Sequence, residues 1–207
     1  PRRSRARRGE GERLRDEILE GASKLLAATG DADAVSVRAV ADAVGVTPPS
    51  IYLHFADKAE LLTAVCERHF RALHSFVEEA VDGTDDPEEQ LRRRGRAYVR
   101  FGIEHPEEYR VLFMRRPGQA ALPPAEDARE VSGFAALVAN VQRAMEAGVI
   151  AGADPLLVAS GLWSVVHGIT SLAISLPGFP QVGLDALVDH VLEVHCRGLR
   201  PPPPPVL

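Results

Sequence analysis

The sequence predicts an all-α chain, on three observations. Apolar residues recur at three- and four-residue spacing along most of its length, and no stretch keeps the period of two expected of a half-buried strand. Helix starts and stops stand in the right order: Asp57 with Glu60, Asp86-Pro87-Glu88-Glu89 and Asp154-Pro155 open helices, while Gly30, Gly45 and Gly148 close them. Finally, 207 residues with 45% hydrophobic and 26% charged side chains have an ordinary globular composition, long enough for a core without staples.

The first helical period starts near Glu12, where Leu14, Ile18, Ala22, Leu25 and Leu26 keep one face as far as Gly30. A short unit follows, with Ser36 as its cap, Val37, Val40, Ala41 and Val44 on one face and Gly45 as its stop. A third begins at Thr47, a cap followed by Pro48 at the first helical position, and the run Ile51–Phe55 completes about two turns. Asp57 and Glu60 form a capping box ahead of a long helix whose stripe runs through Leu61, Val65, His69, Phe70 and Leu73 to about Val81. The helix opened by Asp86-Pro87 passes Tyr98 and Phe101 until Pro106 breaks it. Tyr109, Leu112 and Phe113 mark a shorter unit, and residues 115–125 read as a Pro/Gly loop. Val131, Phe134, Val138, Val141 and Met145 then alternate three and four apart within a helix over 126–147. Residues 155–176 form a helix with no charged side chain, and Leu184, Leu187, Val188, Val191, Leu192 and His195 stripe a last one over 184–198. Pro201–Pro205 are a polyproline tail.

The net charge of −5 conceals an asymmetry. Seven arginines stand among residues 1–15 against only Glu10 and Glu12, whereas residues 59–207 are acidic. A basic arm on an acidic body points to a polyanion partner at one end; its alternative is a solvated tail. Two cysteines, Cys66 and Cys196, give neither a disulfide framework nor a Cys-x-x-Cys metal motif, and favour a reducing, cytoplasmic setting. No signal segment is apparent at the N-terminus.

The short-helix, glycine-turn, short-helix arrangement over 36–55 is a candidate helix-turn-helix, against the alternative of an ordinary helical hairpin. Such a unit needs a first helix that buries one face, a tight turn, and a second helix whose start is small enough to approach base edges. Val40, Ala41 and Val44 meet the first need, Gly45 the second, and Thr47, Pro48, Pro49 and Ser50 the third. Tyr52 and His54 carry polar tips suited to phosphate oxygens.

The stretches Val35–Thr47, Ile51-Tyr52-Leu53-His54-Phe55 and Asp57-Lys58-Ala59-Glu60-Leu61-Leu62 resemble the DNA-binding domain of the TetR family of transcriptional regulators, over about residues 12–62. The resemblance includes the whole Tyr-x-His-Phe-x-x-Lys-x-x-Leu signature. It implies a three-helix DNA-binding head (12–58) behind the basic arm (1–11), a larger helical domain for ligand binding and dimerisation (59–200), a Pro-rich tail (201–207), and release of DNA when a ligand binds. The DNA-facing set would then be Ser36, Val37, Arg38, Thr47, Pro48, Pro49, Ser50, Tyr52, His54 and Lys58, with Arg5 of the arm. Pro48-Pro49 departs from the family's usual single small or polar residues, so readout there should use apolar contact and shape.

A second resemblance covers Trp163-Ser164-Val165-Val166-His167-Gly168 with His105–Arg110 and Phe113. It is similar to a TetR ligand-domain subgroup with a Trp-x-x-x-His-Gly motif. Trp163 and His167, four apart, share a helix face; His167 reads either as a satisfied core histidine or as a polar ligand contact. Tyr98, Phe101, His105, Tyr109, Phe113, Phe134, Val138, Met145, Trp163 and His167 are the candidate lining of a pocket for a small hydrophobic effector, with 106–114, hinged at Pro106, as a lever. Metal and catalytic readings fare poorly. His190 and His195, like His69 and His74, are five apart, and no acid stands near Ser164 and His167 in sequence to orient the imidazole. Neither a metal, a cofactor nor an enzyme activity is expected. The uncharged helix is long enough to span a bilayer, but it reads as a buried helix that, with Leu184, Leu187, Val188, Val191, Leu192 and His195 of the last helix, builds a homodimer interface. The leading expectation is a cytoplasmic, homodimeric repressor on palindromic double-stranded DNA. Its rivals are a constitutive DNA-binding or architectural dimer, and a helical binding protein or enzyme with a vestigial head.

Overall fold

A computed structural model describes residues 10–114 and 133–202, and every regular element among them is a helix. These are α1 (Glu10–Thr29), α2 (Val37–Val44), α3 (Pro48–Tyr52), α4 (Lys58–Val81), α5 (Pro87–Glu104), α6 (Pro106–Phe113), α7 (Phe134–Glu146), α8 (Pro155–Ser175) and α9 (Leu184–Gly198). Arg5 with residues 1–9 of the arm, the 115–125 loop, Val131 and the end of the polyproline tail lie outside the described residues, whereas Glu10 and Gly11, expected in the arm, open α1.

The chain divides into two compact units, Pro1–His69 with Glu107–Ala125, and Phe70–Pro106 with Glu126–Leu207. The division falls inside α4, whereas the sequence reading puts it between 58 and 59. An amphipathic helix as long as α4 carries no local mark of where its packing partners change.

In the first unit Ile18, Leu19, Ala22 and Leu26 of α1 pack with Val40, Ala41, Ile51, Phe55, Leu61, Leu62 and Val65. Ser36 caps α2, its Oγ accepting from the Ala39 N–H at 3.1 Å. Gly45 ends α2 at φ 76°, a left-handed conformation that costs glycine nothing. The Val46 N–H then closes on the Ala41 carbonyl at 2.9 Å.

Two expectations for α3 are corrected. It spans only Pro48–Tyr52, with Leu53 closing it, rather than about two turns. Thr47 stands at its N-cap, but the hydroxyl bonds Ser50 Oγ at 3.0 Å instead of a backbone donor. The reason lies in the two prolines, which remove the first two N–H groups; the third, on Ser50, is taken by the Thr47 carbonyl at 2.8 Å. The Asp57/Glu60 box also differs in detail. The Glu60 N–H reaches Asp57 Oδ1 at 2.8 Å, while Glu60 Oε2 accepts from Ala56, one residue before the cap.

In the second unit α5 packs against α7, α8 and α9. Asp86 and Asp154 cap α5 and α8 through the Glu88 and Leu156 N–H groups, each ahead of a proline at the first helical position. The core of α5 carries a polar network. The Arg94 guanidinium is 7% exposed; it forks onto the Glu78 carboxylate and donates from Nε to Asn140 Oδ1 at 3.1 Å. Asn140, wholly buried, donates in turn to the Pro87 carbonyl. Burial works against ionisation of Glu78, but the Arg94 bond and charge hold its pKa below the usual carboxylate value.

The stripe on α9 is also corrected in part. Val188 and Leu192 are buried within this chain, and Leu192 fills the space that glycine leaves at position 95 of α5. They belong to the subunit's own core and are not free to face a second copy.

Asn140→Ala strands the Arg94 Nε–H and the Pro87 carbonyl, and should cost about 2 kcal/mol. Denaturant unfolding that finds less than about 0.5 kcal/mol would show the network to be incidental.

Candidate nucleic-acid and effector sites

The helix-turn-helix presents its tip through α3. Ile51 points into the core, half-buried Ser50 holds Thr47, and Tyr52 is 54% exposed. Pro49 and Arg38 are exposed, while Val37 is half-buried against the head core, so its side chain serves packing. The Ser36 hydroxyl accepts the α2 cap bond and keeps its own proton to donate. Among the described residues Lys58 makes a long bond of 3.4 Å to the Asp33 carbonyl. Arg15 lies over the buried Phe55 ring, 5.0 Å from its centroid. Ser36, Arg38, Tyr52 and Lys58 are thus polar groups at the surface of the three-helix head.

The same unit holds a relay that the sequence reading missed. His69 of α4 is 6% exposed; its Nε2 lies 2.7 Å from Ser23 Oγ of α1, and its Nδ1 lies 3.2 Å from Glu108 Oε2 of α6. A carboxylate only accepts, so Nδ1 carries the proton and Nε2 accepts from the serine. Burial pushes the imidazole below its ordinary value, and Glu108 only partly offsets this. The order Ser–His–Glu matches a nucleophilic triad. However, Ser23 lies within α1, whose backbone N–H groups are spent on the helix, leaving none to hold an oxyanion. The arrangement acts as a brace joining three helices. The signal was a histidine in an apolar stripe, which demands partners whose identity the sequence does not give.

The effector candidates separate into groups. Trp163 and His167 of α8 have ring centroids 5.0 Å apart, Phe134 of α7 stands 6.0 Å from Trp163, and Tyr98 of α5 bonds His167 Nδ1 at 3.0 Å through its hydroxyl. Ser171 Oγ stands 3.5 Å from the other ring nitrogen. Burial lowers the His167 pKa, keeping the ring neutral. In this conformation both ring nitrogens of His167 have partners, and those partners are what an effector would have to displace. His105 stacks on Phe101 at 4.9 Å beside Phe76, while Val138 and Met145 pack on the core of α5, α7 and α8. Tyr109 and Phe113 belong to the first unit, with centroids 4.9 Å apart. Eight of the ten candidates thus fall in the second unit and two in the first.

Comparison with known proteins bears on both units. Residues 18–65 match the family model of bacterial regulatory proteins, tetR family. Residues 91–195 match that of the tetracyclin repressor-like C-terminal domain, half of the chain. The chain belongs to the TetR family. It is a TetR-family transcriptional regulator, and that family is a class of regulators, not of enzymes. The HTH-type transcriptional activator FasR of Mycolicibacterium smegmatis is 37% identical over 100 residues, which are 48% of this chain. The match spans only 45% of FasR's own length. A TetR family transcription regulator from Marinobacter aquaeolei VT8 superposes with a TM-score of 0.76 at 22% identity, covering 93% of this chain and 98% of that one. AibR, solved in complex with isovaleryl coenzyme A and operator DNA, gives 0.68 at 21% identity, covering 87% and 97%. These two share the fold with the present chain: a helix-turn-helix at the N-terminus and a helical C-terminal domain.

The buried imidazoles make stability depend on pH. An unfolded histidine protonates near 6.5, while folded His69 and His167 stay neutral to lower pH. The unfolded state binds more protons in that window, so stability is full above it and falls as pH drops through 6.5. The thermal midpoint should decline between about pH 7.5 and pH 5.5, ahead of any loss from Glu78 or Glu88, whose pKa values lie below 4.5. His69→Gln should flatten that decline; an unchanged pH slope would dismiss the brace as its source.

Proposed function

We propose that the chain is a cytoplasmic, homodimeric repressor, released from a palindromic operator by a small, neutral or weakly polar hydrophobic effector. The observation that carries the DNA reading is the tight α2–turn–α3 unit inside residues matched as tetR family, its tip left exposed at Tyr52 and Leu53. Thr47, Pro48, Pro49 and Ser50 would meet base edges. Ser36, Arg38, Tyr52, His54 and Lys58 would position the head on phosphates, joined by Arg5 of the arm. The proposed effector site is the aromatic group of Tyr98, Phe134, Trp163 and His167, in a domain of the Trp-x-x-x-His-Gly subgroup. Its neutral histidine and tyrosine hydroxyl are the scarce polar contacts that such a site needs. Ligand insertion would have to break the Tyr98–His167 bond, which gives the two states a differential contact. Support for a small-molecule input comes also from AibR, solved in complex with isovaleryl coenzyme A and operator DNA.

The homodimer is proposed from α8. Val158, Ala159, Leu162, Val166, Ile169 and Thr170 face the chain's own core, while Leu157 (70% exposed), Gly161, Ser164 and Leu172 (44%) form an outer face without a charge. This helix is long and apolar enough to cross a membrane, with only 33% of its most apolar window buried. A second copy of the same helix, packed about a two-fold axis with α9, covers it and supplies the second head that a palindrome requires. The opposite sign of control is a second reading, because FasR is named an activator.

A duplex selected from a random pool by the full chain should bind with steep salt dependence. With roughly 6–10 phosphate contacts, affinity should fall by about 10³–10⁵ between 50 and 200 mM salt. A reporter placed behind that duplex should be silenced by the protein and released by the effector; activation instead would establish the FasR-like sign. Leu172→Glu puts a charge on the outer face of α8 without disturbing the subunit core. It should yield folded monomers that no longer bind the palindrome, and light scattering that still finds a dimer would reject this interface.

A further inference from the structure

The outer surface of α3 is apolar to a degree that its polar sequence neighbours conceal. Leu53 is 83% exposed, a cost that nothing in the head's own packing offsets. It retains right-handed helical angles (φ −74°, ψ −16°), so it stays in phase with α3 and stacks four residues beyond Pro49, which is exposed as well. The hydroxyls that would compete for base edges are committed to one another: Thr47 Oγ1 and Ser50 Oγ bond at 3.0 Å, leaving one donor between them. Pro48 and Pro49 contribute no N–H. The outward surface of α3 is therefore a Pro49–Leu53 strip flanked by Tyr52.

A major groove shows hydrogen-bonding groups at every base pair but only one apolar group, the C5-methyl of thymine. The strip is continuous with the helix-turn-helix that the family match identifies, which sets its occupant as duplex DNA. Deepening the DNA-binding reading on which it rests, we propose that Pro49 and Leu53 read thymine methyl groups, making thymine the specified base at the positions they cover in each half-site. An operator read in this way is selected by methyl placement more than by bidentate hydrogen bonds.

The test uses the full chain and a duplex it selects from a random pool. Each thymine of one half-site is replaced in turn by deoxyuridine, which keeps the base pair and removes only the methyl. At one or two positions the substitution should weaken wild-type binding by about fourfold, the worth of one buried methyl. Leu53→Ala, at an exposed position that leaves the fold intact, should bind the parent duplex more weakly and lose the deoxyuridine effect at one such position. Pro49→Ala should do so at the other. A selected duplex that tolerates deoxyuridine throughout, or a Leu53→Ala protein with undiminished deoxyuridine sensitivity, overturns the methyl reading while leaving DNA binding intact. Failure to select any duplex overturns the DNA-binding reading itself.

Discussion

One missing methyl group holds the head in shape. A Cβ on Gly21 would sit 2.7 Å from Val44 Cγ2, so the contact between α1 and α2 exists only because position 21 has no side chain. Val44 is also the last residue of α2, immediately before the left-handed turn at Gly45. The packing of α1 thus fixes the end of α2, the turn fixes the start of α3, and Ile51 pins α3 to the same core. Five residues cannot hold a helical conformation alone, since nucleation costs more than so short a helix returns. The direction in which Pro49, Tyr52 and Leu53 point is a property of the whole three-helix core.

The two cores meet the problem of buried polarity differently. In the first, a neutral imidazole is wired on both nitrogens, which avoids burying a charge. In the second, a full guanidinium is buried and answered by a carboxylate, an amide and through it a backbone carbonyl. Neither arrangement adds much net stability over an apolar replacement. Their effect is geometric: each bond is directional, so Ser23, His69 and Glu108 set the register of α1, α4 and α6, as Arg94 and Asn140 set that of α5 and α7.

The sequence was legible where interactions are local. Caps at Ser36, Asp57, Asp86 and Asp154 and the stops at Gly45 and Pro106 all act over a few residues, and all appear in the structure. Where local rules collided, legibility failed: Thr47 looks like a cap, but two consecutive prolines remove the donors it would cap. It failed again where partners lie far apart in the chain. Ser23 and His69 are 46 residues apart and Arg94 and Asn140 another 46, distances over which one sequence carries no pairing signal. An amphipathic stripe reveals that a face is covered but not by what. Val188 and Leu192 look like interface residues for that reason, although both are buried within the same chain, Leu192 against Gly95 of α5.

The complementary case is α8, where lack of charge looks like deep burial. Ser160, Ser164, Thr170 and Ser175 return their hydroxyls to carbonyls four residues back, so the helix presents less polarity than its composition implies. Yet only one side meets the subunit core. In a lone subunit a lysine at position 157 or 172 would cost nothing and improve solubility, so the uncharged outer face is what the proposed dimer would use. Glycines at 161 and 168 leave open space at the same helix, enough for a second backbone to approach closely. A reader of palindromes needs two heads at a fixed spacing; in the proposed dimer, this helix packed on its own copy would set that spacing by backbone contact, with little freedom from side chains.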